Sequence, residues 1–255
     1  MEVPCMVEAQ QRWRCNCAYD GTDFAGWQKQ PNGNAVQDFI NSGLGEIFHK
    51  PIKTVGAGRT DAGVHANMQV FHFDHNWTHG ENSLLQAMRT KFPPGISPIS
   101  VEKVDSSFHA HLSAKGKRYI YRMVRGWALP RDERFLLSLK NLNPDISLMS
   151  LSSECFLGEH DFSAFAARTG GSPKENPLKK VWRVDIVESS KCIEIVVEGG
   201  GFLYKMVRSI VGALLDVGIK KLNREDIHKI LESGKRTEKV VSAPAHGLTL
   251  EKVFY

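Results

Sequence analysis

The sequence predicts an α+β fold: two ferredoxin-like (RRM-like) halves joined into one continuous mixed, mainly antiparallel sheet, with helices on one face and the other face open. Two observations predict it. Segments of period-two alternation and segments with apolar residues at three and four follow one another as βαββαβ over residues 1–112. The same reading gives βαββααβ over residues 113–255. The residues of the two halves show little identity, so the repeat lies in the order of elements.

The first half begins with an alternating stretch, Trp13, Cys15, Cys17 and Tyr19 against Arg12, Arg14 and Asn16, which is a half-buried strand. After the loop "DGTDFAGWQKQPNGN", Val36, Phe39, Ile40, Leu44, Ile47 and Phe48 mark a helix. Asn34 is its expected cap, with Gln37 completing a capping box. "IKTVGAG" and "MQVFHFD" read as strands, "ENSLLQAMRTKF" as a helix and "ISVEKVD" as the closing strand. In the second half "KRYIYRMV" is a strand and "DISLMSLSSECFLG" a helix. "KVWRVDIVE" and "KCIEIVVEG" form a hairpin turning at Ser189 and Ser190. "FLYKMVRSIVGALLDVG" is a helix with Met206, Val207, Ile210, Val211 and Leu214 on one stripe. "REDIHKILES", capped by Asn223, and the strand "LTLEKVFY" complete the chain.

Composition is that of a globular protein, with 42% hydrophobic and 24% charged residues. No apolar run approaches the roughly eighteen residues of a membrane span. The N-terminal "MEVPCMVEAQQ" has neither a secretory pattern nor the acid-poor character of a transit peptide, which points to the cytoplasm. The five cysteines include no C-x-x-C pair and read as buried reduced thiols. A net charge of +5 suits a polyanionic partner without proving one. An open sheet face rimmed by loops is a common RNA-binding platform. On such a face, the loop "SAFAARTGGSPKENPLKK" offers Arg168, Lys174, Lys179 and Lys180 to phosphates.

The stretch "GAGRTDAGVHA" sets Arg59, Asp61 and His65 among Gly56, Gly58 and Gly63. Glycine weakens helix and strand interiors, so this is either a decorated turn or a site. His72, His75, His79, His109 and His111, with Asp74, are a rival cluster. Their spacing is not that of a zinc site, and no metal is expected. Tyr119 and Tyr121 share a strand face, flanked by Lys115, Lys117, Arg118, Arg122 and Arg125. Trp27 and these tyrosines fill core or stack on bases.

These residues bring out a resemblance. "GRTDAGVHA" resembles the catalytic motif of the TruA family of tRNA pseudouridine synthases, with its aspartate at Asp61. "YDGTDFAGWQKQ", "AVQDFI", "SFHAHLSAKGKRYIY", "GEHDFSAF", "GGFLYKMVRSIVG" and "APAHGLTL" also match, in the family's order. The family pattern has arginine where this chain has His111 and serine where it has Ala164. The resemblance implies an isomerase of uridine in the anticodon stem-loop of tRNA, at positions 38, 39 or 40, working as a homodimer without cofactor. It implies Asp61 as the catalytic carboxylate, Arg208 as its basic partner and Tyr119 as the residue packed on uracil. Arg59 is the candidate to fill the space left by the flipped base. Arg118, Arg168, Lys174, Lys179 and Lys205 are the expected RNA contacts. Two rivals remain. A non-catalytic tRNA chaperone would bind equally and make no product, and a metal enzyme would lose activity in EDTA.

Overall fold

A computed structural model describes residues 10–31, 33–167, 175–190 and 192–255. In the first half it has β1 (Arg12–Tyr19), α1 (Val36–Phe48), β2 (Val55–Gly56), β3 (His65–Asp74), α2 (Gly80–Lys91) and β4 (Ile96–Val104). The second half begins with β5 (Gly116–Val124), β6 (Leu137–Ser138), α3 (Ile146–Ser153) and β7 (Gly158–Asp161). It continues with β8 (Leu178–Glu188), β9 (Ile193–Gly199), α4 (Met206–Gly218), α5 (Arg224–Ser233) and β10 (Leu248–Phe254).

All the strands belong to one sheet, ordered β4-β1-β3-β10-β5-β9-β8-β7, with β2 beside β3 and β6 beside β5. Pairing is antiparallel except where β10 meets β3 and β6 meets β5. The halves meet at the β3–β10 seam, where Thr249 lies opposite His65 and Leu250 opposite Ala66. Of the four long strands of the second half, the order is fourth, first, third, second. The first half repeats it, with the two-residue β2 in the last place.

The alternation along β1 survives intact: Trp13, Cys15, Cys17 and Tyr19 are buried and the residues between them half-buried. The buried side faces the helices. Phe48 of α1 lies 5.9 Å from Phe73 of β3, and Trp27 lies 6.0 Å from Tyr19 and 6.1 Å from Phe71. In the second half α3 packs on α4 and on β8. Burial pushes the Cys15 and Cys17 thiols up, so they stay protonated and inert. The opposite face carries a ladder of ion pairs: Arg12 with Asp74, Arg118 with Glu198 and Arg122 with Glu194, each at 2.7 Å.

Three details differ from expectation. Helix α1 is capped at Ala35, whose N–H donates to Asp38 Oδ2 at 3.1 Å, while Gln37 turns inward and donates to Thr54 O at 2.8 Å. Thus Asn34 and Gln37 are not its cap and box. The expected helix from Asp145 ends at Ser153, passes through a 3-10 turn and gives way to β7. Because β7 pairs with β8, Lys179 and Lys180 stand in a strand, with His160 opposite Lys179, and not in a loop. Among the described residues, no helix is long and apolar enough to cross a membrane.

Candidate active site

The loop after β2 is tied down along its length. Ala57 N–H donates to Val70 O at 2.7 Å, and Gln69 Nε2 to Gly58 O at 2.9 Å. The Tyr19 hydroxyl and Thr60 Oγ1 share a buried hydrogen bond of 2.8 Å. Trp27 N–H donates to Thr60 O at 3.1 Å, and Val64 N–H to Asp61 O at 3.1 Å. His65 closes the far end: its Nδ1 accepts from Gly21 N–H at 3.0 Å. Its Nε2 faces the carbonyls of Arg134 at 2.8 Å and His246 at 3.1 Å. Burial holds His65 below the usual histidine range, so it is the neutral ring that accepts and donates here.

Glycines let the first loop lie against this one. A Cβ at Gly21 would stand 2.0 Å from Val64 O, and one at Gly26 2.6 Å from Thr60 O. Gly26 also has φ +84, a conformation that L side chains rarely adopt. At Gly56 a Cβ would strike the Trp27 ring at 2.4 Å. Trp27 is thereby a core residue, 1% exposed.

The loop presents Asp61 to α4. Arg208, in the first turn of that helix, donates from Nη1 to Asp61 Oδ2 at 2.8 Å. Its Nε donates to Ala243 O at 2.7 Å, and Ala243 N–H returns to Arg208 O at 2.9 Å. The two side chains of the pair are 13% and 16% exposed, sheltered yet reachable. Tyr119 completes the cluster. It is buried, meets Phe202 edge-on at 5.4 Å, and its hydroxyl is pushed well above the usual range by burial, with Tyr19 and Asp61 adding to the shift. Tyr121, two residues along, donates to Pro244 O at 3.0 Å and is core.

This cluster stands on the helix-bearing face of the sheet. The expected arrangement, with helices on one face and the cleft on the other, is therefore corrected for these residues. The parity of β5 is the reason: Lys117, Tyr119 and Tyr121 point to the side of α4, and Arg118 and Arg122 to the ladder. Arg118, expected beside Tyr119, lies on the opposite face with its Nε on Glu198. Arg59 is exposed, its Nε donating to Gln28 Oε1 at 3.1 Å. Lys205 precedes α4 with φ +59, and its Nζ lies 5.2 Å from the Tyr204 ring centre. Arg168 and Lys174 lie outside the described residues.

The histidines do separate work. His72 accepts from Ala110 N–H at 3.1 Å, and burial brings it down to about 4. His75 stacks on Phe48 at 4.1 Å, and His111 Nδ1 lies 2.9 Å from Ala57 O. Among the described residues no group of three or more His, Cys, Asp and Glu is placed to hold a metal ion. Ala164 is fully buried in a 3-10 turn. Sequence reasoning missed Tyr19, Thr60 and His65 as supports. The signal was present for Thr60 and His65, which both lie in the glycine-rich motif.

Comparison with known proteins agrees with this geometry. The family described as "tRNA pseudouridine synthase" matches residues 17–111 and 153–255. The chain is 36% identical over 245 residues to tRNA pseudouridine synthase A of Exiguobacterium sibiricum, covering 96% of this chain and 97% of that one. It is 39% identical over 240 residues to tRNA pseudouridine synthase A of Acetivibrio thermocellus, covering 93% and 96%. For the Chlamydia felis protein of the same name the figures are 37% over 241 residues, 93% and 89%. With a family match on both sides of the β3–β10 seam, and relatives aligned along nearly their whole length, this chain belongs to the tRNA pseudouridine synthase family.

Proposed function

We propose that the protein isomerises uridine to pseudouridine in the anticodon stem-loop of tRNA, at positions 38, 39 or 40, and that Asp61 is its catalytic carboxylate. The observation that carries this reading is the Asp61–Arg208 pair at 2.8 Å beside the buried Tyr119. The tRNA positions rest on the family resemblance. The reaction breaks the bond from uracil N1 to ribose C1′, turns the ring and joins C5 to C1′. The proton leaves C5 and N1 ends protonated, so atoms and electrons balance with no external group. Asp61 supplies the carboxylate, as nucleophile on sugar or base or as the base that takes a proton. Arg208 fixes its orientation through a charge-assisted hydrogen bond while anchored to Ala243. Tyr119 packs on the uracil, and Arg59 occupies the space it vacates.

The two halves, residues 1–112 and 113–255, are read as ferredoxin-like repeats whose seam carries the site. The repeated strand order supports this. The cytoplasm is the proposed compartment, and a homodimer is the proposed assembly, the latter from the resemblance. Lys179 and Lys205 are proposed RNA contacts, with Arg168 and Lys174 if their segment reaches the RNA. The test is incubation of pure protein with tRNA and mapping of pseudouridine base by base. Product in the anticodon arm supports the reading, and tight binding without product favours a chaperone.

Two further results are expected. Affinity for the anticodon arm should fall with a log–log salt slope of about 0.7 to 0.9 per phosphate neutralised. Filter binding across a salt series checks this, and a flat response would contradict it. Tyr119→Phe keeps the ring and removes a hydroxyl electrostatically coupled to Asp61. Its single-turnover rate should drop by about a hundredfold with binding retained. A wild-type rate would leave Tyr119 a packing role only.

A further inference from the structure

Lys117 is a buried cation, 9% exposed, with no hydrogen bond or ion pair to any described residue. Burying an amine without a partner is costly. Its stem crosses the catalytic loop: a Cβ at Gly58 would stand 2.7 Å from Lys117 Cε and 3.1 Å from Nζ. Gly58 keeps that lane open.

The strand register supplies a second cation. Lys117 lies opposite Gly199, and Gly199 opposite Val181. Lys179, two residues before Val181 on β8, shares the buried face of Val181 and so of Lys117. Between them Gly199 has no side chain, and the Phe202 ring edge comes within 3.1 Å of where its Cβ would be. Phe202 in turn meets Tyr119. Burial lowers the Lys117 ammonium from its usual range, and Lys179 lowers it further, with Glu175 opposing more weakly. The segment 168–174, RTGGSPK, contains two more cations and no carboxylate.

We propose that Lys117 and Lys179 form a seat for one phosphodiester of the bound RNA strand, on the cleft floor about 7 Å along β5 from Tyr119. The proposal rests on the RNA-modifying reading. Two lysines, the inner one bonded to no carboxylate among the described residues, suit a compact anion, and lysine binds phosphate as a point charge. Seated there, one phosphate would fix the strand on both sides of the flipped nucleotide: the base on Tyr119 and the backbone on the lysines.

The test is a double-mutant cycle on anticodon-arm RNA carrying single methylphosphonate linkages. Wild type, Lys117→Met and Lys179→Gln are titrated across a salt series, with melting curves for each. Lys117→Met should reduce the salt slope by about 0.7 to 0.9. One linkage, when neutralised, should weaken wild type about tenfold and Lys117→Met hardly at all. Lys179→Gln should show the same cycle at the same linkage, which keeps the test open if Lys117→Met fails to fold. Unchanged slopes with equal penalties at every linkage would make Lys117 a prop for Gly58 and overturn the seat. Pseudouridine is scored with wild type in parallel. Its absence overturns the functional reading, and its presence with unchanged cycles overturns the seat alone.

Discussion

Asp61→Ala is expected to abolish pseudouridine formation while the protein stays folded and binds tRNA. The carboxylate is held by Arg208 at 2.8 Å in a loop whose other hydrogen bonds are backbone or involve Tyr19, Gln28, His65, Gln69 and His111. Those contacts survive the substitution. The cost is more than that of an ordinary loop residue, because Arg208 loses its carboxylate while 13% exposed. About 1–3 kcal/mol is expected, with Arg208 still bonded to Ala243 O. On the proposed reading RNA affinity comes from cations spread along the cleft, and deleting a negative charge does not weaken attraction to phosphate. Chemistry has no substitute, since no other carboxylate stands on the motif, so single-turnover product should fall to the detection floor. Melting curves, filter binding and single-turnover assays on one preparation separate the three effects.

Gly21→Ala is expected to damage both stability and catalysis, forty residues from the motif it disturbs. Its new Cβ would lie 2.0 Å from Val64 O, a backbone atom that cannot swing aside. Val64 N–H closes the turn on Asp61 O, so pushing Val64 moves Asp61. Overpacking of this kind costs about 1–3 kcal/mol. In a chain of this size that is a Tm fall of roughly 2–12 °C. A displacement of about 1 Å at the carboxylate would cost about a hundredfold in rate. Gly45→Ala is the contrast: it lies inside α1, and its Cβ would meet Lys50 O at an ordinary 3.5 Å. Helix propensity should make that variant more stable by about 0.5–1 kcal/mol. A Gly21→Ala protein with wild-type Tm and rate would show that the two loops are not braced against each other.

The long elements were legible because their pattern is local. Trp13 to Tyr19 alternates, and Met206 to Leu214 repeats at three and four, so β1 and α4 needed no tertiary information. Asn223 capped α5 as read, its side chain accepting from Asp226 N–H. The two-residue β6 and the four-residue β7 were not legible, since pairing partners and not composition create them, and of the strand read in "IKTVGAG" only Val55–Gly56 pairs. The capping of α1 went to Asp38 because Gln37 was drawn into the core by Thr54, seventeen residues away. The position of Arg118 was readable in principle. It differs in parity from Tyr119, so one strand cannot aim both into one cleft. The contact of Gly21 with Val64 joins the loops after β1 and before β3, and Lys117, buried with no partner among the described residues, meets the Gly58 loop from across the β3–β10 seam; no local pattern encodes either.

The central claim is that a single carboxylate, oriented by Arg208, performs the isomerisation. Asp61→Asn tests it most directly, because the amide keeps the shape and its oxygen can still accept from Arg208, but it is neither nucleophile nor base. The measurement is single-turnover pseudouridine formation on anticodon-arm RNA at saturating enzyme. Product in the wild-type reaction and none with Asp61→Asn, at matched RNA affinity and melting temperature, is the predicted result. Product at a comparable rate from Asp61→Asn would contradict it.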